Sequence, residues 1–220
     1  MEPMTFANRT DAGRRLAARL VGLRGASVVV LALPRGGLPV AAPVAVALGA
    51  PLDVLPVRKL GVPWQPELAM GAIAEGGVQV VEDDVVRRTG LTGRTIEDAA
   101  EHERPALARA AAYREGHPPV SLQGRTAVIV DDGLATGSTA RAACIAARAR
   151  GASRVVLAVP VAPPHWALPM HDVADECVAL HVPSDFHAVG QAYDDFSPVT
   201  DAEAIAAMAE AAAEWASIDR

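Results

Sequence analysis

The chain has 220 residues, 51% of them apolar and 21% charged, with a formal net charge of −6. That length and apolar share suit one α/β core with a modest appendage, and the charge content argues against disorder. The acidic balance argues against general nucleic-acid binding, which relies on Lys and Arg neutralising phosphates.

In chain order, residues 10–23 read as a helix, with Asp11 able to cap it and apolar residues at helical spacing. Residues 27–33 (SVVVLAL) form a β-branched run, as in a buried strand, ended by Pro34-Arg35-Gly36-Gly37. A small-residue helix over 38–48 closes at Gly49, and a second strand follows over 52–57. Strand, helix, strand at this spacing is a βαβ unit, so the sheet is parallel there.

Residues 58–77 look irregular, with a hairpin around Glu75-Gly76-Gly77 and the chain's single lysine at Lys59. A long irregular segment inside a domain often works as a lid. Residues 82–114 read as two helices broken near 90–93. A second βαβ unit runs from a strand over 125–131, through a loop over 132–137, into an Ala-rich helix over 138–150 and a strand over 154–160. A short helix over 163–173, a strand over 176–181, an aromatic segment over 186–198 and a capped helix over 201–215 complete the chain.

Cys144 and Cys177 lie in apolar runs and read as core thiols, and no ligand spacing suggests zinc. Residues 1–15 hold no signal-peptide run, and the apolar stretches are too interrupted to span a bilayer. The expectation is a cytoplasmic protein with no membrane contact.

The segment 128–139 (VIVDDGLATGST) carries the functional argument. It puts two carboxylates at the end of a buried strand, then a small-residue loop, then a helix start. Ligands of open α/β sheets bind at the C-terminal ends of strands. A helix N-terminus offers free N–H groups and a positive dipole end to a phosphate. Thr136, Ser138 and Thr139 add hydroxyl donors, and Gly137 permits close approach. Asp131 and Asp132 would repel a phosphate but can accept from vicinal hydroxyls. The unit therefore reads as a diol acceptor beside a phosphate cradle, as a ribose 5-phosphate requires. It is neither a Walker loop nor GxGxxG.

On these residues the sequence resembles the type I phosphoribosyltransferases over about residues 26–160. The resemblance implies a Rossmann-like parallel-sheet core over about 25–183 and a small hood from about 5–24 and 184–216, one domain over 1–220. It implies that Asp131 and Asp132 hold the ribose hydroxyls of phosphoribosyl pyrophosphate (PRPP), and that Ala135, Thr136, Gly137, Ser138 and Thr139 hold its 5-phosphate. Pro34-Arg35-Gly36-Gly37 resembles the family's pyrophosphate loop, where a non-proline cis peptide is expected before Arg35. Arg58-Lys59 resembles its basic pair ahead of the catalytic loop. The stretches VRKLG at 57–61, ELAMGA at 67–72 and YDDF at 193–196 are similar to those of stand-alone, mostly bacterial members of unassigned acceptor.

The implied reaction moves the 5-phosphoribosyl group from PRPP to a nitrogenous base or related acceptor and releases pyrophosphate. Arg35, Arg58 and Lys59, with the amides of Gly36 and Gly37, would meet the leaving group. Mg²⁺ is the implied cofactor, near Asp131 and Asp132 through water or PRPP. Family enzymes for hypoxanthine and guanine carry an Asp where this chain has Ala135, which counts against those acceptors. Glu67 and Glu75 are candidate acid/base groups. His165, Phe186, Tyr193 and Phe196 are candidates for the acceptor side, the aromatics by stacking or as the hood's own core. A non-catalytic PRPP- or nucleotide-binding regulator, and a hydrolase acting on a ribosyl compound, stay open as alternatives, as does a homodimer.

Overall fold

The computed structural model describes residues 5–25 and 27–218, apart from the Ile218 side chain. The extreme ends of the expected 1–220 domain, and Ala26 at the start of the resembling stretch, lie outside the described residues. Helix α1 (Arg9–Leu20) starts one residue before the expected span. Its cap is Asn8, whose side chain accepts from the Asp11 amide at 3.0 Å, so Asp11 is not the cap.

Strand β1 (Val28–Ala32) is wholly buried, as its run of branched side chains requires. Helix α2 (Leu38–Leu48) ends at Gly49 in the left-handed conformation, and β2 (Leu52–Val54) pairs parallel with β1. After the second excursion, β6 (Thr126–Val130), helix α5 (Ser138–Ala149), β7 (Arg154–Val161) and β8 (Glu176–His181) complete the core. Among the described residues the core sheet has five strands, all parallel, in the order β2-β1-β6-β7-β8. The chain leaves β1 towards β2 on one side and returns to β6 on the other. The crevice between β1 and β6 is therefore the topological switch point, where such sheets bind ligands.

The expected irregular segment over 58–77 is ordered. Strand β3 (Val57–Val62), β4 (Gln65–Ala74) and β5 (Val78–Val81) form a second, antiparallel sheet. One hairpin turns at Pro63-Trp64, and another turns at the expected Glu75–Gly77. The two covered faces of this sheet explain the order. Leu60, Val62, Met70 and Ile73 face helices α3 (Asp83–Thr89) and α4 (Gly93–Ala111), while Val57, Ala72 and Ala74 join the main core with α5. Prolines and glycines obscured this period in the sequence. The expected helix over 163–173 reduces to a single turn at Leu168–Met170, because Pro163, Pro164 and Pro169 each remove an amide donor.

The terminal helices also differ from the expected hood. Leu16, Ala17 and Leu20 of α1, and Ala204 and Ala211 of α6 (Asp201–Ile218), pack with α2 on one face of the parallel sheet. What covers the loop after β6 is smaller: Phe6, Ala192, Tyr193 and Val161, flanked by Phe186, Val189 and Phe196.

Candidate active site

Two loops meet at the switch point. The loop after β1 turns back at once, because Gly37 N–H donates to Leu33 O at 3.0 Å and Leu33 N–H donates to Val130 O at 2.9 Å. The Pro34-Arg35 peptide is cis, at the position expected. A Cβ on Gly36 would overlap the Asp132 carboxylate, and one on Gly37 would come within 2.6 Å of Leu33 O and Val130 O. Glycine at both positions is thus what lets the first loop reach the acid pair. Gly137 opens α5 with φ +76°, a conformation that favours glycine, and Met170 closes in beneath it.

Asp131 Oδ1 accepts the Asp132 amide at 2.9 Å. Burial pushes the Asp131 carboxyl well above the usual carboxylate range, and the neighbouring Asp132 adds to this. Burial also raises Asp132, opposed by the Arg9 guanidinium, whose Nε donates to Asp132 Oδ2 at 2.8 Å. The Thr136 hydroxyl and Ser138 hydroxyl lie 3.4 Å apart at the lip of the loop, with Ala135, Thr136 and Thr139 exposed.

Each of the three expected cations is held by a carboxylate through a loose, partly exposed pair. Arg35 meets Asp201 at 3.1 Å, Arg58 meets Glu103 at 3.9 Å, and Lys59 meets Glu67 at 3.6 Å. Arg58 and Lys59 are consecutive in β3, so they point to opposite faces of that strand. Burial and then the Asp201 carboxylate push the Tyr113 phenol up, opposed by the charges of Arg35 and Arg58. Glu75 has another role: it pairs with the buried Arg114.

On the expected acceptor side, Tyr193 is only 7% exposed. Its ring centroid lies 5.4 Å from that of Phe6 and 5.0 Å from that of Phe196, and its hydroxyl donates to Asp132 O at 2.5 Å. Tyr193 is therefore interior to the small cap, so its ring does not line an open slot. Phe186 and Phe196 are half-buried around it, and His165 is exposed on a turn with φ +61°.

A family model described as phosphoribosyl transferase domain matches residues 6–197. The chain belongs to this family. A Mycobacterium tuberculosis H37Rv protein provisionally named a phosphoribosyl transferase is 54% identical over 213 residues, which is 96% of this chain and 48% of that protein. The corresponding protein of strain CDC 1551 gives the same figures. The chain thus spans about half the length of the curated relatives it matches. The crystal structure of TT1426 from Thermus thermophilus is 44% identical, with a TM-score of 0.86 over 94% of this chain and 99% of that one.

Within this phosphoribosyl transferase domain, sequence reasoning missed Arg9, Tyr113 and Asp201. Arg9 lies at the very start of α1, and Tyr113 follows an insertion helix. Asp201 begins a terminal helix. None stands near a motif, so only the fold brings them to the loops. A groove of about 1090 Å³ between α1, α2 and α6 adjoins the site and shares Arg9 with it. Among the described residues no helix is long and apolar enough to cross a membrane, and no group of three or more His, Cys, Asp or Glu is placed to hold a metal.

Proposed function

We propose that this domain transfers the 5-phosphoribosyl group of PRPP to a nitrogenous base or related small acceptor, with release of pyrophosphate. One observation carries the reading: the acid pair with its small-residue loop, and the Pro34-Arg35-Gly36-Gly37 turn, stand side by side at the switch point of the parallel sheet. The amides and hydroxyls of residues 135–139 receive the 5-phosphate at the start of α5. Asp131 and Asp132 accept from the ribose hydroxyls through the oxygens not given to the Asp132 amide and Arg9. Arg35, Arg58 and Lys59 exchange their weak carboxylate partners for the pyrophosphate. The C1–O bond to pyrophosphate breaks and a bond from C1 to the acceptor forms, with oxocarbenium character between them.

Mg²⁺ suits this site as an ion carried mainly by substrate oxygens. The acid pair offers hard oxygen donors in a number too small for a protein cage, which matches how this ion binds. Asp131 and Asp132 would hold it through water or PRPP, and when bound it would neutralise charge on the departing pyrophosphate. Both cysteines are free thiols, in keeping with a reaction in the reducing cytoplasm.

The test is to mix the protein with Mg²⁺, PRPP and a panel of bases and to assay pyrophosphate release, alongside calorimetry with PRPP alone. Base-dependent release supports the transferase. Binding without release would assign a PRPP sensor, and release without any base would assign hydrolysis. No PRPP binding at all would overturn the whole reading.

A further inference from the structure

Asp201 is the first residue of α6, yet α6 does not need its carboxylate. Thr200 and Glu203 cap the helix reciprocally: Glu203 N–H donates to Thr200 Oγ1 at 3.2 Å, and Glu203 Oε2 accepts from Thr200 N–H at 2.8 Å. The Asp201 carboxylate turns instead to two residues remote in sequence. Its Oδ1 accepts from Arg35 Nη1 at 3.1 Å and from the Tyr113 hydroxyl at 2.7 Å. An anion is therefore already seated on a guanidinium and a phenol, and that guanidinium belongs to the cis-peptide turn beside the acid pair. The charge of Arg58 also reaches this phenol, and its Nε meets Glu103 only at 3.9 Å, too long for a hydrogen bond. A guanidinium and a phenol that converge on one anion from remote parts of the chain can serve another anion in its place.

We propose that Tyr113 is a further ligand of the pyrophosphate group, and that Asp201 is an internal stand-in for that group which leaves Arg35 and Tyr113 when substrate binds. The inference rests on the proposed PRPP reading and adds two residues to it. The stand-in is weakly held: the Arg35 and Asp201 side chains are 48% and 70% exposed, and such pairs are easily exchanged. While the site is empty, Asp201 keeps Arg35 and Tyr113 oriented and prevents like charges from standing unpaired. When pyrophosphate arrives, its oxygens take both donors, and the released carboxylate faces solvent on the end of an independently capped helix.

The experiment is calorimetry of magnesium pyrophosphate and of magnesium PRPP with the full chain, its Asp201→Ala and Tyr113→Phe variants and the double variant. Thermal melts check that each is folded. Asp201→Ala should bind pyrophosphate about two- to fivefold more tightly, the scale of an exposed pair. Tyr113→Phe should weaken binding, by about tenfold in the Asp201→Ala background, where the hydroxyl serves only the ligand. In the wild-type background the loss should be smaller, because the same substitution also releases Asp201. That non-additivity separates direct exchange from the general effect of removing a negative charge. Unchanged or weaker binding by Asp201→Ala, or additive effects, would overturn the stand-in. An unchanged affinity of Tyr113→Phe in the Asp201→Ala background would overturn its role as ligand. Wild-type protein that binds pyrophosphate and PRPP while the variants behave alike leaves the PRPP reading standing and removes only this inference; wild-type protein that binds neither removes both.

Discussion

Arg9 Nε donates to Asp132 Oδ2 at 2.8 Å across 123 residues of chain, and it ties the N-terminal helix to the acid pair. The guanidinium is fixed on two further sides, by Ser197 O at 2.8 Å and by the Phe196 ring, whose centroid lies 3.9 Å from Cζ. Both side chains of the ion pair are mostly buried. Arg9 thus acts as a positioning residue: it sets which way Asp132 faces and offsets the cost of burying its charge. Arg9→Met keeps much of the packing and removes the donors. It should cost about 2 kcal/mol of stability, the scale of a charged hydrogen bond, and weaken PRPP binding. Arg9→Lys restores the charge without the planar fork and should recover only part of the affinity. Denaturant unfolding together with PRPP calorimetry checks both. Wild-type affinity in Arg9→Met would remove the positioning role.

Gly36 and Gly37 are neighbours with opposite expected outcomes. A methyl on Gly36 meets the end of the Asp132 side chain, which can swing aside. Gly36→Ala should fold, with a loss of about 1 kcal/mol as the carboxylate gives up part of its Arg9 bond, and bind PRPP poorly. A methyl on Gly37 meets backbone oxygens of Leu33 and Val130, which belong to the turn and to the C-terminal end of the central strand β6. Gly37→Ala should lose about 1–3 kcal/mol of stability, as overpacking does. Thermal melts and PRPP binding on the two variants should therefore rank them in opposite orders.

The loops of this site were legible because backbone chemistry dictates their composition. Small residues at 133–139 and 36–37 follow from close approach, and the acid pair at 131–132 follows from a diol; both leave marks in consecutive residues. The parallel strands were legible for the same reason, since burial on both faces produces the runs at 28–32 and 126–130. The β3–β4 hairpin was not, because one face meets α4 and the other meets α5, so neither strand shows a plain alternation. The roles of Arg9 and Asp201 depend on side chains that meet over 123 and 166 residues, and no local pattern encodes such a meeting. Tyr193 was read as an aromatic near the acceptor, but its burial against Phe6 and Phe196 is visible only in three dimensions.

Arg114 joins the inserted sheet and helices to the core from a fully enclosed position. It pairs with the buried Asp53, donates to Val54 O at 2.7 Å and to Glu75 Oε1 at 2.7 Å. Asp53 also accepts the amides of Val54 at 2.7 Å and Val120 at 2.9 Å. Arg114→Met should cost about 3 kcal/mol, because it leaves the buried Asp53 with only the more distant Arg150, 4.0 Å away, as counter-charge. Adding Asp53→Leu should restore only part of that, since the Val54 and Val120 amides then lose their acceptor. Equilibrium unfolding of the single and double variants measures both. Full recovery in the double variant would show that charge alone, without the amide bonds, fixes this junction.

The acid pair makes a pH-dependent claim whose sign follows from its burial. The folded protein holds the Asp131 proton more tightly than the unfolded chain does, because burial and then Asp132 push its carboxyl up. Between the ordinary carboxylate range and that raised value, the folded state binds more protons than the unfolded state, so stability falls as pH rises. Below the ordinary range both states are protonated and the penalty vanishes; above the raised value it is complete. Asp131→Asn carries no charge and can still accept the Asp132 amide. The ligand-free variant should therefore melt at a higher temperature than wild type at neutral pH, with the gap closing as the pH is lowered into the carboxylate range. PRPP with Mg²⁺ should reverse the order at neutral pH, because only the wild-type acid pair binds the ribose and gains the ligand's stabilisation. A variant less stable than wild type at neutral pH without ligand would show that the Asp131 charge is well accommodated in the empty site, and that strain on the acid pair is not part of how this site is built.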